Sequence, residues 1–145
     1  MEIYTIGFTK KSAAEFFQLL KRAGIRRLID VRLNNTSQLA AFAKRDDLEY
    51  FLREICGAEY HHQPMLSPDK DLLDGYKKKT VSWEEYETRF LDLLERRDVE
   101  GEVDRRWFEV PTVLLCSEPT AEHCHRRLVA EHLAAKWDDV SIVHL

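Results

Sequence analysis

Apolar and polar positions along the chain follow two alternating rhythms. Four segments repeat apolar residues at three- and four-residue intervals, the spacing of a helix with one buried face. In the first, Phe16, Phe17, Leu19 and Leu20 form the stripe, Ser12 and Glu15 precede it as a capping box, and Gly24 follows as a stop. In the second, Asp46 with Glu49 opens the helix, Leu48, Phe51, Leu52 and Ile55 turn inward, and Gly57 ends it. The third begins at Ser82 with Glu85, buries Tyr86, Phe90, Leu93 and Leu94, and sets Val81 to staple onto Tyr86. The fourth is expected to start with Thr120 as its cap and to run to Lys136, with Leu128, Val129 and Leu133 inside.

Between these segments lie short runs rich in β-branched residues: 3–6, 28–31, 113–116 and 141–144, with 59–62 a weaker candidate. Strands alternating with helices imply crossover units. The expected fold is α/β, a three-layer arrangement with a mostly parallel central sheet of about five strands flanked by helices, in one domain over 1–145. Residues 63–80, with Pro64, Pro68 and Lys77-Lys78-Lys79, read as an exposed loop or a short helix.

A chain that is 44% apolar and 33% charged has the balance of a soluble globular protein. No apolar run approaches the ~20 residues of a membrane span. Met1-Glu2-Ile3-Tyr4 lacks the basic start of a secretory signal, so a cytoplasmic setting is expected. A net charge of −4 argues against non-specific duplex binding, which needs clustered Lys and Arg. Three cysteines, Cys56, Cys116 and Cys124, are an odd number for a disulfide framework in a reducing compartment.

The chemistry gathers after the strands. A parallel sheet points all carboxyl ends to one edge, and ligands bind in the crevice there. Thr5 and Gly7 end the first strand, Asp30 and Arg32 the second, and Cys116 and Glu118 the fourth, with 120–126 leading into the next helix. Cys116 has the position of a nucleophile, to be activated by a helix dipole and nearby cations. His125 can act as acid or base near neutral pH, and Glu118 and Asp30 can orient a base or accept a substrate hydrogen bond. Arg32, Arg126 and a helix start at Thr120 offer donors to an anion. Cys124, four residues before Leu128, reads as a packing residue on the core face. Trp83, Trp107 and Trp137 also read as packing residues.

At these same residues the chain resembles a bacterial and archaeal family, the domain of unknown function numbered 488. Tyr4-Thr5-Ile6-Gly7 followed by Ser12 is similar to its opening, and Leu28-Ile29-Asp30-Val31-Arg32 with Ser37, Phe42 and Lys44 to its second motif. Leu115-Cys116-Ser117-Glu118 with Cys124-His125-Arg126 is similar to its most specific signature, and Val143-His144-Leu145 to its close. The resemblance implies an α/β protein and carries no activity. The chain departs from the family at Met65-Leu66-Ser67, where members carry a Leu-Gly pair. A looser likeness links Ile29-Asp30-Val31-Arg32 and the Cys116 strand to rhodanese-like sulfurtransferases and cysteine phosphatases. Those enzymes place an arginine six residues after the cysteine, where this chain has Glu122, and Glu118 in the loop would repel phosphate or thiosulfate.

The leading expectation is a small enzyme that binds an anionic or nucleotide-like ligand at the carboxyl edge of its sheet, with neither metal nor cofactor assigned. A nucleic-acid or protein binding module, working through Lys77–Lys79, Arg105, Arg106 and Trp107, is the second reading and is not favoured. A metal-dependent hydrolase using Cys116, Cys124, His125 and one of His61 or His62 is the third.

Overall fold

The computed structural model describes residues 1–118 and 120–145. Among them, five strands form one sheet: β1 (Glu2–Gly7), β2 (Arg27–Asp30), β3 (Glu59–His62), β4 (Thr112–Cys116) and β5 (Ser141–His144), in the order β3-β2-β4-β1-β5. Every neighbouring pair is parallel. The helices are α1 (Ala13–Arg22), α2 (Arg45–Phe51), α3 (Lys70–Lys77), α4 (Trp83–Arg97), the short α5 (Val99–Glu102) and α6 (His125–Lys136).

Strand alternation divides the core into two layers. Val113 and Leu115 of β4 point to the face covered by α1 and α2, where Phe16, Phe17, Leu20, Leu48 and Leu52 pack. Leu114 and Cys116 point to the other face, against Tyr86, Phe90 and Leu94 of α4 and Leu128, Val129 and Leu133 of α6. The three-layer α/β architecture expected from the sequence is therefore present. Residues 112–116 are buried throughout, as a central parallel strand covered on both faces requires.

The local signals account for several boundaries. Ser12 and Glu15 form the capping box of α1. The Ser82 hydroxyl caps α4 by accepting from the Glu85 N–H at 3.1 Å. Gly57, at φ +62°, takes the left-handed turn after the second helical segment. Residues 63–80 contain α3, whose cap is Asp69, accepting from the Leu72 N–H at 2.8 Å.

Two expectations need correction. The second helix is capped by Lys44 rather than Asp46, and it widens into a π-type turn over Leu52–Cys56. That wider turn breaks the four-residue phase, and Ile55, expected inside, is 41% exposed. The fourth predicted helix does not begin at Thr120. Residues 120–123 form bends and turns, and α6 starts at His125 with Cys124 as its cap residue.

Candidate functional site

Gly7, Asp30 and Cys116 lie at the same edge of the sheet, because β1, β2 and β4 run in the same direction. The site is built on the loop after β4 and the first turn of α6. Cys116 closes the strand with its side chain on the α4–α6 face, and the chain returns to that face at Cys124 and His125. His125 spans the gap between strands: its Nε2 lies 2.7 Å from the Val31 carbonyl oxygen and its Nδ1 3.4 Å from Cys116 Sγ. A carbonyl oxygen only accepts, so the network assigns the ring proton to Nε2. In the neutral ring Nδ1 is then the accepting nitrogen, turned to the sulfur.

The two cysteines are displaced in opposite directions. Burial pushes the Cys116 thiol up. The Cys124 S–H, the N–H groups of Glu118 and Ser117 and the charge of Arg126 outweigh burial and hold Cys116 below the usual thiol range. Burial, followed by the Cys116 sulfur beside it, pushes Cys124 well above that range. Of the two sulfurs, Cys124 is thus the one that keeps its proton and donates, and Cys116 the one that accepts.

Cys116, Ser117, Glu118, Cys124 and His125 line one side of a cleft of about 300 Å³. Trp83, Tyr76, Tyr86 and His123 form an aromatic wall, with Trp83 and His123 stacked at 4.8 Å between ring centroids. Arg32, Asn34 and Lys77 bring polar and basic groups to the lining.

Of the other sequence candidates, Arg32 reaches the cleft through a fixed geometry. Its Nε and Nη2 donate to the two oxygens of Asp30, each at 2.8 Å. Asp30 is fully buried and also accepts from the Tyr60 hydroxyl, the Arg32 N–H and Asn35. It shares the edge with Cys116, but alternation turns it to the α1–α2 face with Leu28, and it does not line the cleft. The structure therefore places Asp30 behind Arg32 instead of beside Cys116.

Arg126 is similarly engaged. Its Nη1 donates to the Glu118 carbonyl at 2.7 Å and its Nε to Thr5 Oγ1 at 3.3 Å, with only 1% of the residue exposed. Thr5 Oγ1 also meets His144 Nδ1. Gly7 lies beneath the same loop, where a Cβ would stand 1.5 Å from the Glu118 carbonyl oxygen. Thr5, Gly7 and Arg126 thus form the seat of the 116–118 turn. Thr120 is exposed and precedes α6 by five residues, so it does not stand at the start of that helix. The N–H groups of Ser117 and Glu118 at the sulfur supply the nearest equivalent.

Of the residues named in the metal reading, Cys116, Cys124 and His125 come together, while His61 and His62 are engaged with other partners. His62 Nε2 lies against the Arg32 carbonyl at 2.8 Å, while His61 bonds to Glu59 and stacks on Trp107. The surface required by the binding-module reading is divided. Lys77 lies at the cleft, whereas Trp107 precedes β4 and its carbonyl accepts from Arg27 at the opposite edge of the sheet.

Sequence reasoning took Cys124, Trp83, Tyr76 and Tyr86 as packing or passed over them. The pairing of Cys124 with His125 directly before an apolar helix was the signal available. The Met65-Leu66-Ser67 segment is a short turn whose Met65 and Ser67 carbonyls accept from Arg97.

The family model for the domain of unknown function DUF488 matches residues 12–133. That span contains the Asp30–Arg32 and Cys116–Arg126 segments, while 4–7 and 143–145 lie outside it. No curated protein and no solved structure matches the chain. With most of its length covered, cleft and loop included, the chain belongs to the DUF488 family.

Proposed function

We propose that the protein is a thiol-dependent enzyme acting on a small ligand that joins a planar ring to an anionic group, as a nucleotide does. The single observation that carries this reading is the Cys116–His125 contact, 3.4 Å from Sγ to Nδ1, at the side of a cleft. Cys116 is the nucleophile, and His125 takes and returns the proton, its ring held by the Val31 carbonyl. The Glu118 carboxylate, on the exposed rim, is the second acid–base group. Trp83, Tyr76 and His123 offer faces for a planar ring, and Arg32 and Lys77 offer positive charge. Asp30 acts on Arg32 by fixing its orientation.

The setting inferred is the reducing cytoplasm, on the ground that all three cysteines are free thiols and that, among the described residues, no helix is long and apolar enough to cross a membrane. Iodoacetamide labelling followed by peptide mass spectrometry tests the reading. Cys116 is expected to label well before Cys56, with AMP in the cleft slowing it more than inorganic phosphate does. Equal or negligible labelling at the two positions would overturn the nucleophile. Labelling indifferent to both anions would overturn the ligand class.

A further inference from the structure

The cleft side holds more donor atoms than a cysteine nucleophile uses. One ligating atom each from Cys116, Cys124 and His125 lie within 4.8 Å of one another, and all three residues are buried. A tetrahedral zinc ion with Zn–S of about 2.3 Å and Zn–N of about 2.0–2.1 Å sets an S···N edge of about 3.5 Å. The Cys116 Sγ to His125 Nδ1 separation is 3.4 Å, so this edge is already formed. The outer nitrogen of the ring is also arranged as metal-bound histidines require. His125 Nε2 donates to the Val31 carbonyl, which fixes the ring and leaves Nδ1 as the ligating atom. Two sulfurs and an imidazole favour zinc over hard, oxygen-seeking cations.

A second acid–histidine group elsewhere does not compete on equal terms. Glu95, Glu100 and His132 also approach within 4.8 Å, but Lys136 already places its ammonium 2.8 Å from Glu95 and 3.9 Å from Glu100. A metal there would have to displace that charge, and its donors are mostly carboxylates at the surface.

We propose that Cys116, Cys124 and His125 bind one zinc ion through Sγ, Sγ and Nδ1, with the fourth position open to the cleft. This rests on the reading of Cys116 as the working sulfur of the site and adds a control over it. On binding, Cys116 and Cys124 each release their thiol proton to solvent and both sulfurs bond to the metal; on removal, the thiols take protons back and Cys116 is again available. The zinc-loaded protein is thus a masked form in which the sulfur electron pair that would attack substrate is held by the metal.

The test uses the full chain, stripped with a chelator and titrated with Co²⁺ and then Zn²⁺. The expected result is one equivalent of cobalt giving the intense visible bands of a tetrahedral site and a near-ultraviolet thiolate band, both lost when zinc displaces it. Zinc is also expected to protect Cys116 and Cys124 from iodoacetamide. Cys124→Ala and Cys124→Ser are expected to weaken zinc binding by more than the about 10–100-fold that loss of an outer-sphere partner costs. Glu100→Gln should leave binding unchanged. A weak octahedral spectrum, or binding lost in Glu100→Gln and kept in both Cys124 variants, would overturn the zinc site. If metal-free protein labels at Cys116 ahead of Cys56 while zinc gives no protection, the zinc proposal fails alone. If Cys116 fails to label even without metal, the reading beneath it fails.

Discussion

At the scale of single residues, the site depends on close approach and on buried charge. Gly7 is fixed by distance: any side chain there meets the Glu118 carbonyl and, at 2.8 Å, Nη1 of Arg126. Gly7→Ala is expected to destabilise by about 2–4 kcal/mol, since the collision is with backbone that no rotamer change relieves. Urea denaturation measures the loss, and slower labelling of Cys116 would report displacement of the loop. Asp30 gives a pH dependence. Burial raises its carboxyl, but the paired bonds and charge of Arg32, with the Tyr60 hydroxyl, outweigh burial and hold it below the usual carboxylate range. A folded value below the unfolded one, about 3.9, stabilises above that pH, and the stabilisation is lost as pH falls through it toward the folded value. Wild-type stability is therefore expected to drop across this acid range. Asp30→Asn is expected to start about 3–5 kcal/mol lower at neutral pH, because Arg32 is left buried without its partner, and to fall less steeply on acidification. Denaturant titrations from neutral pH down to the acid range check both, and parallel curves for the two proteins would assign the acid sensitivity elsewhere. Cys116 and His125 were legible because they stand beside strongly patterned elements. Cys124 was legible as a core residue, and it is buried at 2% exposure in the cluster that holds Leu128; its pairing with Cys116 was not legible, because a helical count was carried through it. The residue has extended dihedrals, φ −136° and ψ 138°, so its side chain turns to Cys116 rather than along a helix face.

At the scale of elements, caps written in local sequence were readable and caps made by tertiary contact were not. Ser12, Ser82 and Gly57 sit where their chemistry suggests. The start of α6 has no side-chain cap at all. Its first turn is held by His125 on Val31 and by Arg126 on Thr5, both far away in the chain, and by Arg126 on the Glu118 carbonyl of the preceding loop. Thr120 had the right residue type for a cap and lacked those partners. The drift of Ile55 to the surface has a similar origin, since the widened turn before Gly57 matches no repeat in the sequence. α4 joins stability to the cleft, because its cap precedes Trp83 directly. Ser82→Ala is expected to cost about 1 kcal/mol, lowering Tm by about 2–4 °C in a scanning-calorimetry measurement. The labelling order of Cys116 and Cys56 should be unchanged, since the cap touches neither sulfur.

At the scale of the whole molecule, the convergence of Thr5, Asp30 and Cys116 on one edge was legible, because strand–helix alternation implies parallel strands and parallel strands share an outlet. The face each residue takes was harder to assign, since it depends on where the pleat begins in each strand. Asp30 and Cys116 reach the same edge on opposite sides of the sheet, so one supports the cleft from behind and the other opens into it. The imidazole that links these two halves is tied to a main-chain oxygen, Val31 O, and that choice of anchor has a consequence for inheritance. A carboxylate partner can be deleted by one codon change; a peptide carbonyl cannot. Any descendant that preserves the pairing of β2 with β4 keeps the ring aimed at the sulfur, whatever residue comes after Asp30, so the orientation is a property of the sheet and outlasts drift in the side chains around it.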